Sequence, residues 1–138
     1  MSFQLPYKWI NPDELADMIK VKPATALKDW AVVDVRGNDF VGGNIVSAIN
    51  VPSDTFHAQV DELVKKLENV PKVVFHCALS QVRGPKSARI YAESRAHHFP
   101  NVSASQEIYV LRGGFSEFQS RYRHDPELIE KFNKYYHD

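Results

Sequence analysis

The sequence is poor in cysteine, in net charge and in long hydrophobic runs. Cys77 is the only cysteine among 138 residues, which excludes an internal disulfide framework and is typical of a reducing compartment. Seventeen basic and seventeen acidic residues cancel to a net charge of zero, so the composition indicates neither nucleic-acid binding nor attachment to a membrane surface. No apolar run approaches the roughly 18 residues that a membrane-spanning helix needs.

Signals for export and for metal binding are also absent. Residues 1–9 have neither the basic start nor the apolar core of a signal peptide. His97 and His98 have no cysteine or acidic residue at a spacing that suits a metal ion, so we predict no metal and no cofactor. We therefore expect a soluble intracellular protein, located in the cytoplasm or the nucleus.

The segments that are present alternate between strand-like and helix-like patterns. With 43% hydrophobic and 12% aromatic residues, the chain has the composition of a globular protein, and we predict one domain over residues 1–138. The alternation predicts an α/β fold whose central, mostly parallel sheet is flanked by helices. The predicted strands are residues 7–10, 31–35, 49–51, 72–75 and 108–111, and the predicted helices are residues 12–20, 61–67, 86–95 and 126–136. Residues 96–106 are expected to form the longest loop.

The most informative stretch surrounds the lone cysteine. His76 and Cys77 end an apolar strand, five residues follow, and Arg83 precedes the Gly-Pro pair that opens a helix. A loop that turns onto a helix N-terminus can direct several backbone N–H groups at one anion, and the same field favours the thiolate form of a cysteine. Arg83 adds a planar fork of donors that matches two oxygens of a phosphate. The predicted anion-binding residues are Ala78, Leu79, Ser80, Gln81, Val82 and Arg83.

Several of these residues have a structural alternative. Cys77 is also explained as an ordinary buried cysteine, although the arginine six residues later argues against this. His76 either positions the loop or supports the thiolate. Asp34 is a candidate general acid or loop organiser, and the structural alternative is a carboxylate that pairs with Arg36 or accepts backbone N–H bonds at the end of a strand. Ser80 either donates to the bound anion or shapes the turn.

A resemblance to a known family narrows these choices. The stretch Asp34-Val35-Arg36, followed by Asp39-Phe40 and Gly42-Gly43-Asn44-Ile45, resembles the signature of the rhodanese fold. The loop from His76 to Pro85, with the later stretch from Tyr109 to Phe118, is similar to the M-phase inducer phosphatases, above all to their minimal single-domain relatives. The resemblance extends over residues 31–122. It implies a tyrosine or dual-specificity protein phosphatase of the cell-cycle type that forms a phosphocysteine on Cys77.

The sequence departs from that family at positions that affect chemistry. Ala78 and Val82 stand where the M-phase inducer phosphatases carry glutamates, so a carboxylate of the loop does not supply the general acid here. Val35 stands where they carry a second cysteine that traps the oxidised nucleophile as a disulfide. Asn44 replaces the usual histidine, and a tail of mixed charge replaces their basic extension, which holds the kinase substrate.

Three functions therefore remain open from the sequence. The first is a phosphatase acting on phosphoproteins, with phosphate, sulfate or arsenate as the anion held in the loop. The second is a rhodanese-type arsenate reductase, which would complete its cycle with an external thiol because no second cysteine is present. A sulfurtransferase is the third, and its loop is typically one residue shorter. The intact pair of Cys77 and Arg83 argues against a binding module without activity.

Overall fold

The central sheet of this protein is parallel and five-stranded, and helices lie on both of its faces. The computed structural model describes residues 5–21, 24–100 and 106–137. The strands are β1 (Lys8–Ile10), β2 (Ala31–Asp34), β3 (Asn44–Ile45), β4 (Ile49–Asn50), β5 (Lys72–His76), β6 (Glu107–Leu111) and β7 (Ile129–Glu130), and the helices are α1 (Pro12–Lys20), α2 (Phe56–Lys66), α3 (Arg83–His98) and α4 (Gly114–Tyr122). The order in the sheet is β1-β6-β5-β2-β4, with every pair parallel. The predicted α/β fold is confirmed.

Alternation along the central strands divides the core into two layers. Val73 and Phe75 of β5 pack with α2 and α3 on one face, whereas Val74 packs with α1 and α4 on the other. All four residues of β2 are buried, as expected for an inner strand that is covered on both faces. Because β2 and β5 are parallel neighbours, Asp34 and His76 lie side by side where the two strands end. This shared carboxyl edge positions the candidate site.

Local signals explain where two of the helices begin. Helix α1 starts at Pro12, as predicted, and the Glu14 carboxylate accepts a hydrogen bond of 2.9 Å from the Asn11 N–H. Helix α2 begins at Phe56, five residues before the predicted start at Asp61. Phe56 and Val60 are buried one turn apart and continue the apolar stripe toward the N-terminus.

The predicted C-terminal helix over residues 126–136 is wrong. Ile129–Glu130 forms β7, which pairs antiparallel with β3. Leu128 is fully buried, and Lys131 has a φ of 59°, a left-handed conformation that ends regular structure. The charge pattern satisfied a helix locally, but burial of Leu128 and pairing with β3 decided the conformation.

Three further differences concern boundaries and missed elements. Helix α3 spans Arg83–His98, so it includes residues that were assigned to the long loop, and residues 101–105 of that loop lie outside the described part. Helix α4 and strand β3 were not predicted, and β6 is not the last strand. Within the described ranges, no helix combines the length and the apolar character needed to cross a membrane.

Candidate active site

The candidate site lies at the carboxyl end of β5, the central strand of the sheet. Cys77 is the first residue after β5 and Arg83 is the first residue of α3, so the six residues 77–82 form the turn between strand and helix. The sequence predicted this strand, loop and helix in this order, and the order is confirmed. Cys77 is only 3% exposed, which places its sulfur on the floor of the loop.

Two backbone N–H groups point at the Cys77 sulfur. The N–H of Ser80 donates to Sγ at 3.2 Å, and the N–H of Gly84 donates at 3.3 Å. Both donors stabilise negative charge on sulfur, which is the state that acts as a nucleophile. Ser80 reaches this position with a φ of 56°, and its hydroxyl oxygen accepts the N–H of Cys77 at 3.5 Å. Ser80 therefore shapes the turn, and a contact with a bound anion stays a prediction.

The outer part of the loop presents further donors. Among the described residues, no acceptor is paired with the N–H groups of Leu79, Gln81 or Val82. The side chains of Leu79 and Val82 are 53% and 71% exposed, so they form the rim of the loop. Unpaired N–H groups above a nucleophile are the donors that an oxyanion requires.

A buried polar cluster supports the loop from below. The carboxylate of Asp34 accepts from the Arg36 N–H at 3.1 Å, from Nε at 3.0 Å and from Nη2 at 2.7 Å. The Arg36 guanidinium stacks 4.1 Å from the centre of the Phe115 ring, and both charged side chains are at most 1% exposed. Pairing of Asp34 with Arg36, one of the two alternatives, is therefore what the structure places here. The assignment of Asp34 as general acid stays a prediction.

His76 belongs to the same cluster. Its Nδ1 donates to the Cys77 carbonyl at 3.1 Å, and its Nε2 lies 3.5 Å from the Asp34 carboxylate without forming a hydrogen bond. Burial lowers the pKa of His76, against the opposing effect of Asp34. A neutral His76 makes the contact with Asp34 a close approach rather than an ion pair. Through its Nδ1, His76 fixes the backbone of the nucleophile, and a direct role in catalysis stays a prediction.

Arg83 forms an ion pair that the sequence analysis did not foresee. Its Nη1 and Nη2 donate to the two carboxylate oxygens of Asp39 at 3.1 and 2.7 Å. This hydrogen bond is the main reason that the pKa of Asp39 is lowered and that the pKa of Arg83 is raised, and the nearby Cys77 adds to the rise. Asp39 stands in the stretch that carried the family resemblance, but nothing in the local spacing linked it to an arginine so far along the chain.

Helix α4 is attached to the other side of the loop. The N–H of Phe115 donates to the Cys77 carbonyl and the N–H of Ser116 donates to the Ala78 carbonyl, both at 2.9 Å. Gly114 has a φ of 60°, and a Cβ there would lie 2.5 Å from the oxygens of both carbonyls. Only glycine fits this contact, because any side chain would push the loop away from the helix.

A cavity of about 270 Å³ opens beside the loop. Its wall includes Arg36, Asp39 and Ala78 together with Tyr136 and His137 from the C-terminal segment. A larger cavity of about 560 Å³ shares none of its lining residues with the loop. The smaller cavity therefore lies where it can receive part of a substrate bound over Cys77.

His97 and His98 lie at the far end of α3. The sequence shows no acidic residue at a ligand spacing from His98, but the fold brings the Asp61 carboxylate of α2 to 2.9 Å from its Nε2. Within residues 5–21, 24–100 and 106–137, no group of three or more potential ligands is arranged to hold a metal ion.

The fold and the cysteine loop define the class of protein. Residues 11–121 match the rhodanese-like domain, and the chain belongs to that family. Dual specificity phosphatase ibp1 of Schizosaccharomyces pombe is 34% identical to it, and the match covers 88% of this chain and 95% of ibp1. M-phase inducer phosphatase 1 of Rattus norvegicus is 32% identical, and the match covers 80% of this chain but 22% of that protein. The predicted relationship to these phosphatases is confirmed.

Solved structures give the same result. Ygr203w, a yeast protein tyrosine phosphatase of the Rhodanese family, aligns with a TM-score of 0.77 and 28% identity over 96% of each chain. As-Sb reductase from Leishmania major aligns with a TM-score of 0.76 and 35% identity, covering 89% of this chain and 84% of that one. Relatives of both kinds therefore share this fold.

Proposed function

We propose that this chain is a cysteine-dependent protein phosphatase that hydrolyses phosphotyrosine and related phosphomonoesters of phosphoproteins. The observation that carries the proposal is the arrangement around Cys77, where two N–H groups donate to the sulfur and further N–H groups of the same loop have no partner among the described residues. The named activities of the relatives support it, since ibp1 and Ygr203w are both described as phosphatases. A reducing location in the cytoplasm or nucleus suits an unprotected thiolate.

The reaction proceeds by two displacements at phosphorus. The Cys77 thiolate attacks, the S–P bond forms, and the P–O bond to the substrate breaks as the leaving oxygen takes a proton from solvent water. Water then attacks the phosphocysteine, which releases inorganic phosphate and regenerates the thiolate. Arg83 and those N–H groups of residues 78–83 that do not donate to the sulfur bind the three equatorial oxygens while charge develops on them.

The leaving group decides which substrates react well. A phenol leaves readily, whereas an alkoxide needs a proton, and the loop positions of Ala78 and Val82 offer no carboxylate. Asp34 is fully buried against Arg36 in the structure. We therefore expect phosphotyrosine to be cleaved faster than phosphothreonine.

Reduction of arsenate is the second candidate. Arsenate has nearly the shape and charge of phosphate, and the similarity to the As-Sb reductase of Leishmania major supports this activity. Cys77 would displace hydroxide from arsenic, and a first external thiol such as glutathione would attack the Cys77 sulfur, which releases arsenite and leaves a mixed disulfide. A second external thiol would free Cys77 from the mixed disulfide, so the two thiols supply the two electrons and leave as one disulfide. In the described part of the chain Cys77 is a free thiol, so no internal partner cysteine replaces that external thiol.

A parallel assay separates the candidates. Purified wild type and Cys77→Ser are compared on p-nitrophenyl phosphate, on arsenate with glutathione, and on thiosulfate with cyanide. We expect wild type to hydrolyse the phosphate ester and Cys77→Ser to lose at least about 10⁴-fold in kcat, because serine without a base is a poor nucleophile. Thermal unfolding of Cys77→Ser checks that the variant folds. Phosphatase activity retained by a folded Cys77→Ser variant would contradict the proposal. A wild type that turns over arsenate or thiosulfate but not the phosphate ester would contradict it as well.

A further inference from the structure

A chain of polar contacts runs from the sheet to Arg83. Asp34 binds the guanidinium of Arg36, and Arg36 Nη1 donates to the backbone carbonyl of Asp39 at 3.0 Å. The side chain of Asp39 then binds Arg83 with two hydrogen bonds. The chain is anchored further by Asn50, whose Nδ2 donates to the carbonyls of Asp34 and Arg36, both at 2.9 Å. Asp39 is therefore held by its backbone to buried residues while its carboxylate reaches the edge of the loop.

The way in which Asp39 binds Arg83 leaves part of the guanidinium available. Both hydrogen bonds use the terminal nitrogens Nη1 and Nη2, so the carboxylate lies across the end of the group. A guanidinium can also bind a second oxyanion sideways, through Nε–H and the remaining hydrogen of one terminal nitrogen. Cys77 also helps to raise the pKa of Arg83, so the guanidinium lies near the nucleophile. One carboxylate and one phosphate can thus bind Arg83 at the same time.

We propose that Asp39 is a positioning residue that fixes the guanidinium of Arg83 so that its free side faces an anion above Cys77. The inference rests on the proposed function, because it concerns the arginine that would hold the transferred group. Arginine has several freely rotating bonds, and Arg83 is 36% exposed. Without the carboxylate, ordering this side chain would oppose each binding event.

A competing explanation predicts the opposite result. If the carboxylate occupied the position of the phosphate, it would inhibit the free enzyme, and its removal would tighten anion binding. Repulsion between Asp39 and an incoming dianion would also make anion binding tighter when the carboxylate is removed. Salt screens this repulsion, because Asp39 and Arg83 are both partly exposed. Measurements at about 0.1 M and 0.5 M KCl separate this repulsion from positioning, which salt affects far less.

The test compares Asp39→Ala and Asp39→Asn with wild type. Asp61→Asn is the matched control, since Asp61 is also an exposed carboxylate with a side-chain partner, His98, at the far end of α3. Binding of inorganic phosphate is measured by calorimetry, and kcat and KM are measured with p-nitrophenyl phosphate. We expect Asp39→Ala to weaken phosphate binding about tenfold and to lower kcat/KM by about ten- to a hundredfold. Asp39→Asn should lie between Asp39→Ala and wild type, and Asp61→Asn should match wild type.

A double-mutant cycle shows whether Asp39 acts through Arg83. In an Arg83→Lys background, Asp39→Ala should have almost no further effect on phosphate binding, because the ammonium has no second side to direct. An undiminished loss in that background would assign Asp39 a general structural role and overturn the inference. Unchanged or tighter phosphate binding by Asp39→Ala at both salt concentrations would overturn it as well. A wild type that binds phosphate but hydrolyses no ester contradicts the proposed function alone, and one that binds no phosphate contradicts both.

Discussion

Two aspartate–arginine pairs lie at the same edge of the sheet and differ mainly in their exposure. The inner pair, Asp34 and Arg36, is at most 1% exposed, whereas the outer pair, Asp39 and Arg83, is 43% and 36% exposed. The inner arginine is fully engaged, since it donates to Asp34 and to the carbonyls of Asp39 and Gly43. The outer arginine keeps donors available for a ligand. The buried aspartate–arginine pair thus stabilises the fold, whereas the solvent-exposed pair is available to bind a ligand.

Within this comparison, the largest effect on activity is expected from the outer arginine. Arg83→Lys keeps the charge but loses the planar fork, so kcat/KM should fall by about a hundred- to a thousandfold. The free energy of unfolding should change by no more than about 1 kcal/mol, because exposed pairs contribute little to stability. Steady-state kinetics and urea unfolding measure the two quantities on one preparation. Near-normal kinetics would mean that the loop does not hold a phosphate.

Substitution in the inner pair should lower the stability of the protein rather than change its substrate preference. Asp34→Asn leaves the Arg36 guanidinium buried without its counter-charge, and we expect a loss of about 3 to 5 kcal/mol in the free energy of unfolding. Per folded molecule, the rate ratio between phosphotyrosine and phosphothreonine peptides should stay at its wild-type value. A folded Asp34→Asn variant that is selectively slow on phosphothreonine would instead make Asp34 the general acid.

The smallest expected effect is a pH dependence of the free energy of unfolding, which comes from His76 beside the inner pair. Because burial lowers the pKa of His76 in the folded state, the unfolded chain binds a proton near pH 6.5 that the folded chain does not. The contribution of His76 to the free energy of unfolding is fully present above that pH. It falls as the pH drops below it, by at most about 1.4 kcal/mol per pH unit. Between pH 7.5 and 5.5, the free energy of unfolding measured in urea should fall more steeply with decreasing pH for wild type than for His76→Gln. Parallel curves would show that His76 is not kept neutral by the fold.

The inner pair could be predicted from the sequence, whereas the outer pair could not. Asp34 and Arg36 are two residues apart at the end of an apolar strand, so their pairing follows from local geometry. Asp39 and Arg83 are separated by 44 positions, and only the folded sheet brings them together. The cysteine loop was predictable for a further reason, since strand, loop, Gly-Pro and helix follow one another directly.

The C-terminal segment shows where local patterns mislead. Its acidic start and basic end favoured a helix, and that prediction was wrong because Leu128 and Ile129 are buried and β7 pairs with β3. Helix α4 was missed for a related reason, since it begins with Gly114 in a left-handed conformation that is recognisable only from its contact with the loop. Elements defined by distant contacts carry little signal in a single sequence.

The pairing of β7 with β3 has a consequence for how the protein is made. Tyr136 and His137 line the cavity beside Cys77, and the N–H of Asn133 donates to the Gly42 carbonyl at 2.9 Å. A ribosome releases Cys77 and Arg83 well before these residues, because synthesis runs from the N-terminus. A nascent chain that exposes the loop from Cys77 to Arg83 therefore lacks one wall of the cleft until residues 136 and 137 have left the ribosome. During that interval this side of the cleft is open to solvent.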